Sequence, residues 1–227
     1  MQKTYYEILN VTLDATEREI KIAYSNKIKI HSPEKDPKQF NELRKSYEEL
    51  INVEKRSIYD YKIGLVNKKE KKYKIAEKCL LNSLKLVPRI DYSLLLDLIQ
   101  IAYINENEIL IRESKETLIR VIESENFNYI NYKLVDIIIE EIESDRMIKA
   151  LQITKLAIEL IKIVGDKELE SRYKSMEKTL KENIYTTVIL SNEKYRKKGI
   201  TSKQLYGEKD DKFQRRARKI SRKNKKE

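Results

Sequence analysis

The stretch EIKIAYSNKIKIHSPEKDP, Glu19 to Pro37, decides the fold. Ile20, Ala23, Tyr24, Ile28 and His31 recur at helical spacing and form one stripe of an amphipathic helix. Thr16 and Glu19 make a capping box at its start, hydroxyl and carboxylate each satisfying a free amide. Lys27 interrupts the stripe, although its methylenes can cover apolar surface while the ammonium stays in water. Pro33 stops the helix, because proline disfavours helical geometry in the residue before it. Asp36-Pro37 then restarts the chain as an N-cap followed by proline at the first helical position. Phe40, Leu43, Tyr47 and Leu50 form the apolar seam of the next helix. The pattern predicts an antiparallel helical pair with Pro33 in the connecting loop and Tyr6, Leu9, Ala23, Tyr24, Phe40 and Tyr47 in one core.

Upstream lies TYYEILNV, Thr4 to Val11, a short first helix whose tyrosines and Leu9 are expected against the second. Asn10 follows it, and asparagine is second only to glycine in accepting a left-handed turn. Downstream come FNELRKSYEEL and EKRSIYD, ending at Asp60. Over about residues 3–61 these blocks resemble the J-domain of the DnaJ family. That family carries Tyr-Tyr-x-x-Leu-Gly-Val, Glu-Ile-x-x-Ala-Tyr, His-Pro-Asp, Phe-x-x-Ile-x-x-Ala-Tyr-x-x-Leu and Lys-Arg-x-x-Tyr-Asp in this order. Here Tyr5, Tyr6, Leu9, Val11, Glu19, Ile20, Ala23, Tyr24, Phe40, Leu43, Tyr47, Leu50, Lys55, Arg56, Tyr59 and Asp60 fall in register.

The resemblance implies a DnaK-type ATPase chaperone as partner, contacted by a basic face of the second helix and triggered by the His-Pro-Asp loop. In ungapped register that triplet reads Ser32-Pro33-Glu34, and His31, the single histidine, precedes it. A one-residue helical deletion would bring His31 to the trigger position but rotate the following side chains by about 100°. Otherwise His31 is a helix-end side chain near the last carbonyls. Of the implied docking face Lys21 remains, while two family basic positions are Ser25 and Asn26. Lys27 and Lys29 are read as restoring charge on other faces, which serves long-range attraction rather than the same contacts. The chaperone-binding set is therefore Lys21, Ser25, Asn26, His31, Ser32, Pro33 and Glu34, on a J-like scaffold with weakened ATPase stimulation.

Beyond Tyr61, Ile63-Gly64, Tyr73, Ala76, Leu80, Ser83 and Pro88 match a tetratricopeptide unit, in which small residues let two helices approach. Weaker copies follow at Ile101-Ala102, Ser114, Leu118 and Val121, then at Ile137-Ile138, Ala150, Thr154 and Ala157. They predict stacked hairpins, since one hairpin cannot bury its own apolar face; an irregular helical bundle is the alternative. Asp166 begins a capping helix that continues through IYTTVIL. The expected organisation is all-α: a J-domain-like region at 1–61, a helical repeat region at 62–198 and a disordered basic tail at 199–227.

Composition excludes several classes. With one cysteine, Cys79, and one histidine, neither internal disulfides nor a zinc cluster can be assembled, and no Ser-His triad has sequence support. The four glycines are isolated, so no phosphate-cradling loop exists. No apolar run reaches the roughly 18 residues of a membrane span, and no signal peptide opens the chain. A non-enzymatic, cofactor-free, cytoplasmic protein is expected. Its net charge of +11 is concentrated in residues 212–227, nine Lys or Arg against one Glu, which leaves +3 for the other 211 residues. Arg215, Arg216, Arg218, Lys219, Arg222 and Lys223 are thus the polyanion-binding candidates, with RNA or another polyanion as partner; a solubilising end is the alternative. The helical surface would take a protein or peptide partner, independently of any chaperone.

Overall fold

The computed structural model describes residues 3–86, 91–122 and 124–196, with no side-chain account of 124, 125 and 188–196. No strand occurs among the described residues. The helices are α1 (Tyr5–Leu9), α2 (Glu17–Ile30), α3 (Pro37–Ile51), α4 (Val53–Lys69), α5 (Tyr73–Leu86), α6 (Tyr92–Asn105), α7 (Glu108–Val121), α8 (Ser124–Glu143), α9 (Met147–Val164) and α10 (Lys167–Arg196). They fall into two compact units, Met1–Lys133 and Leu134–Glu227, which divide within α8.

Local signals place the first three helices. Thr4 and Glu7 cap α1 reciprocally, and Thr16 and Glu19 do the same for α2. Asn10 closes α1 in the left-handed region, φ 59°. The Asp36 side chain accepts from the Gln39 amide at 3.0 Å, with Pro37 opening α3. Tyr6, Leu9, Ala15, Ile20, Leu43 and Leu50 form the buried core of this segment. Tyr24 stacks on Tyr47 at its edge, rings 4.3 Å apart and 14° from parallel, joining α2 to α3.

Two expectations need correction. Phe40 and Ala23 are only half-buried and lie outside that core, because α3 buries Leu43, Ser46 and Leu50 instead. The α1 tyrosines also reach α4, beyond the core that Tyr6 shares with Ile20 of α2: Tyr5 stacks on Tyr59 with centroids 4.3 Å apart, and the Tyr5 amide donates to the Tyr59 hydroxyl at 3.0 Å. Tyr6 donates its hydroxyl proton to Asp60 Oδ1 at 2.6 Å and accepts from Arg56 Nε at 3.0 Å.

Residue 61, the expected end of the J-like region, lies inside α4, which pairs with α5 on both sides of that point. Ser57 and Ser83 exchange hydroxyl-to-carbonyl bonds at 3.1 and 2.9 Å. A Cβ on Gly64 would lie 2.7 Å from Leu80 Cδ2, so glycine is what permits this approach. Asn82 of α5 donates to the Leu13 carbonyl at 3.3 Å and to Asp60 Oδ2 at 2.5 Å. Further along, α6 contributes the buried Asp97, held by Tyr61 at 2.8 Å, Lys68 at 3.3 Å and Lys133 at 3.1 Å. In the second unit, α9 buries Ala150, Ile153, Thr154, Ala157 and Ile161, and α10 buries Tyr173, Leu180 and Ile184. Glu141, fully buried, accepts both Nε and Nη2 of Arg146. Gln152 Oε1 is a buried oxygen without a partner among the described residues.

Two measurements test this core. Leu43→Ala removes a fully buried side chain and should cost about 2–5 kcal/mol, clearly more than Phe40→Ala, in urea unfolding. Asp60, fully excluded from solvent, has its pKa raised to about 6 by burial against the lowering pull of Tyr6, Asn82 and Arg56. The folded state therefore holds this proton more tightly than the unfolded chain. The stability linked to it is fully present below the ordinary aspartate value and is lost as pH rises through about 6. Asp60→Asn should lack this dependence, so the wild type should gain on the variant by on the order of 2–3 kcal/mol between pH 7 and 4. A pH-independent difference would contradict the assignment.

Candidate functional site

The α2–α3 hairpin presents two surfaces to solvent: the outer face of α2 and the loop that follows it. At 100° per residue, Arg18, Lys21, Ser25 and Lys29 lie within an arc of about 80°, and all four are exposed. Lys29 therefore shares the stripe of Lys21 and Ser25 rather than another face, and Arg18 extends it; sequence spacing alone would have found both. Lys27 lies elsewhere and is half-buried, as its interruption of the apolar stripe requires. Asn26 is exposed beside the stripe. Lys21 pairs with Glu17 one turn earlier, which raises its pKa, so this cation is already balanced on the surface.

The loop is short and tied at both ends. The His31 amide donates to the Lys27 carbonyl at 3.0 Å, finishing α2. The Ser32 carbonyl accepts from the amides of Lys35 at 3.1 Å and Asp36 at 2.9 Å, closing the turn around Pro33 and Glu34. Ser32 is half-buried, whereas Pro33 and Glu34 are exposed. His31 Nδ1 lies 3.4 Å from Asp36 Oδ2. His31 thus faces the residue that caps α3, while Ser32 and Glu34 stand in the turn itself. The seven expected chaperone-contact residues are brought to one end and one face of the hairpin. The tail candidates Arg215, Arg216, Arg218, Lys219, Arg222 and Lys223 lie outside the described residues.

Among the described residues no group of His, Cys, Asp and Glu is placed to hold a metal ion. No described helix is long and apolar enough to cross a membrane. Cys79 is buried, and desolvation pushes its thiol up to about 12.

Comparison with known proteins places the hairpin in a family. The DnaJ domain model matches residues 4–60, and this segment is a J-domain. Over 63 residues the chain is 44% identical to Chaperone protein DnaJ 1 of Aquifex aeolicus, covering 26% of this chain and 17% of that protein. It is 41% identical over 66 residues to Chaperone protein DnaJ of Thermotoga maritima, covering 26% and 18%. The DnaJ of Protochlamydia amoebophila is 44% identical over 62 residues, covering 25% and 16%. The chain thus spans less than a fifth of the length of these relatives. No solved structure matches it.

If the loop is held as described, Asp36→Ala should remove the α3 cap and the partner of His31 together. A loss of about 0.5–2 kcal/mol is expected, the range for a missing N-cap, with faster amide exchange confined at first to residues 38–40. Unchanged exchange there would show that the cap does not hold the turn.

Proposed function

We propose that this protein is a co-chaperone of a DnaK-type ATPase chaperone, acting in the cytoplasm through binding rather than catalysis. The observation that carries this reading is the J-domain at residues 4–60, with α2, α3 and their proline-containing loop in place. Arg18, Lys21 and Lys29 supply the cationic stripe for an acidic partner surface, and the loop supplies the contact at its end. Ser32-Pro33-Glu34 lacks the imidazole and carries its carboxylate one methylene further out than aspartate. Docking without strong stimulation of ATP hydrolysis is the activity these side chains favour. A second reading, a helical adaptor for a protein or peptide, is supported by the close α4–α5 approach at Gly64, which matches the small-residue spacing of a tetratricopeptide unit.

Single-turnover ATP hydrolysis by a DnaK-type chaperone, with binding followed in parallel, tests the first reading. The wild type should bind and stimulate little. Ser32→His with Glu34→Asp, combined with Ser25→Lys and Asn26→Arg, should raise stimulation beyond the sum of the two pairs, because neighbouring contacts couple. Strong stimulation by the wild type, abolished in His31→Gln, would make His31 the trigger. Absence of binding by every variant would remove the co-chaperone reading and leave the adaptor.

A further inference from the structure

The charge of the folded part is far from evenly spread. Residues 1–61 hold eleven basic and eleven acidic side chains, a net of zero. Residues 62–86, the second half of α4 and all of α5, hold eight lysines against two glutamates, a net of +6. This one hairpin exceeds the +3 of all residues before 212, so the basicity of the chain is not confined to its tail.

The lysines gather at the turn. Lys69, Lys71, Lys72 and Lys74 lie within six residues, Lys78 follows one turn along α5, and all five are exposed. Neither glutamate neutralises them as a group. Glu70 takes Lys72 at 2.6 Å, and Glu77 is turned away, accepting from Asn105 and Asn107 at 2.9 Å each.

Stability does not account for this arrangement. Lysines in the last turn of α4 suit the negative end of its dipole, but Lys72 and Lys74 stand at the positive end of α5, whose first turn contains no acid. Lys71 adopts φ 60°, where glycine or asparagine is favoured. Three lysines therefore occupy positions where local rules prefer other residues, as happens where function overrides stability. The hairpin beneath them is fixed by the Ser57–Ser83 exchange and the Gly64–Leu80 contact, so the ammonium groups are displayed by a rigid element.

We infer that the α4–α5 turn is a nucleic-acid-binding element that grips the phosphate backbone of a duplex. Lysine acts as a point charge on phosphate, and the turn has no arginine for bidentate base reading, so binding is independent of sequence. Between Asn67 and Lys74 the one aromatic ring, Tyr73, is half-buried, which leaves no exposed aromatic wedge to enter a bilayer. This inference does not depend on the co-chaperone reading.

Fluorescence anisotropy with a labelled RNA duplex of mixed sequence and the full chain tests it, titrated between about 50 and 200 mM salt. Lys69, Lys71, Lys72 and Lys74 are changed together to Gln. The control changes Lys155, Lys162, Lys167 and Lys178 to Gln, exposed lysines of α9 and α10, for the same reduction in charge. The turn variant should bind at least about tenfold more weakly, its salt slope smaller by about 0.7–0.9 for each phosphate it no longer neutralises. The control should stay near wild type. A second variant, Lys72→Glu with Lys74→Glu, favours the α5 dipole and so should keep or raise Tm while weakening RNA binding. Equal weakening in turn and control variants, or none in either, would overturn the inference. So would tighter, turn-dependent binding to phosphatidylglycerol vesicles than to RNA.

Discussion

The contact on which the first unit depends is the buried hydroxyl–carboxylate bond between Tyr6 and Asp60. A carboxylate without solvent exposure must find donors, and here they come from two other helices, α1 and α5. Tyr6 brings α1, Asn82 brings α5, and Arg56 lies between them, reaching the Leu13 carbonyl at 2.8 Å. Tyr6 is itself pushed well above the ordinary phenol range by burial and by the neighbouring carboxylate, so it stays a donor. Truncating either partner would leave the other buried and one hydrogen bond short, Asp60 with Asn82 and Tyr6 with Arg56, which costs more than the bond contributes.

That bond also explains why α4 serves two neighbours. Its first half supplies Arg56, Tyr59 and Asp60 to the J-domain core. Its second half supplies Gly64 to the α5 contact and Tyr61 and Lys68 to the buried Asp97. A helix is stiff over such a length, so the J-domain and the α4–α5 hairpin share a fixed geometry. The end of the family match at residue 60 is therefore a boundary of sequence kinship inside a continuous helix.

What could be read from the sequence follows the range of the interaction. Capping by Thr16 and Asp36, the left-handed Asn10 and the stop before Pro33 are set within four residues, and each was legible. The Tyr24–Tyr47 stack was legible because two seams at helical spacing must face each other. Phe40 was misplaced because it shares one apolar seam with Leu43, and only packing decides which end of that seam stays at the surface. Asp97 gave no signal: an acid within an apolar helix acquires meaning only when Lys68, Lys133 and Tyr61 arrive from elsewhere in the chain. The lysine turn was hidden differently: residues 212–227 hold most of the net charge, and only the position of the α4–α5 turn shows where the rest converges.

The α2–α3 loop bears on how side-chain identity and geometry divide the work of a J-domain. Its backbone is fixed from both sides, by the end of α2 at His31 and by the two amides on the Ser32 carbonyl. Neither restraint uses the side chains of Ser32 or Glu34. Replacing them would change what the loop offers a partner while leaving its hydrogen bonds intact. His31 differs, because its ring faces Asp36, which already caps α3 through its other oxygen. Engaging His31 elsewhere would require this ring to leave Asp36, whereas Ser32 and Glu34 can be exchanged with the loop at rest. The backbone geometry of the loop is therefore set independently of the side chains at Ser32 and Glu34.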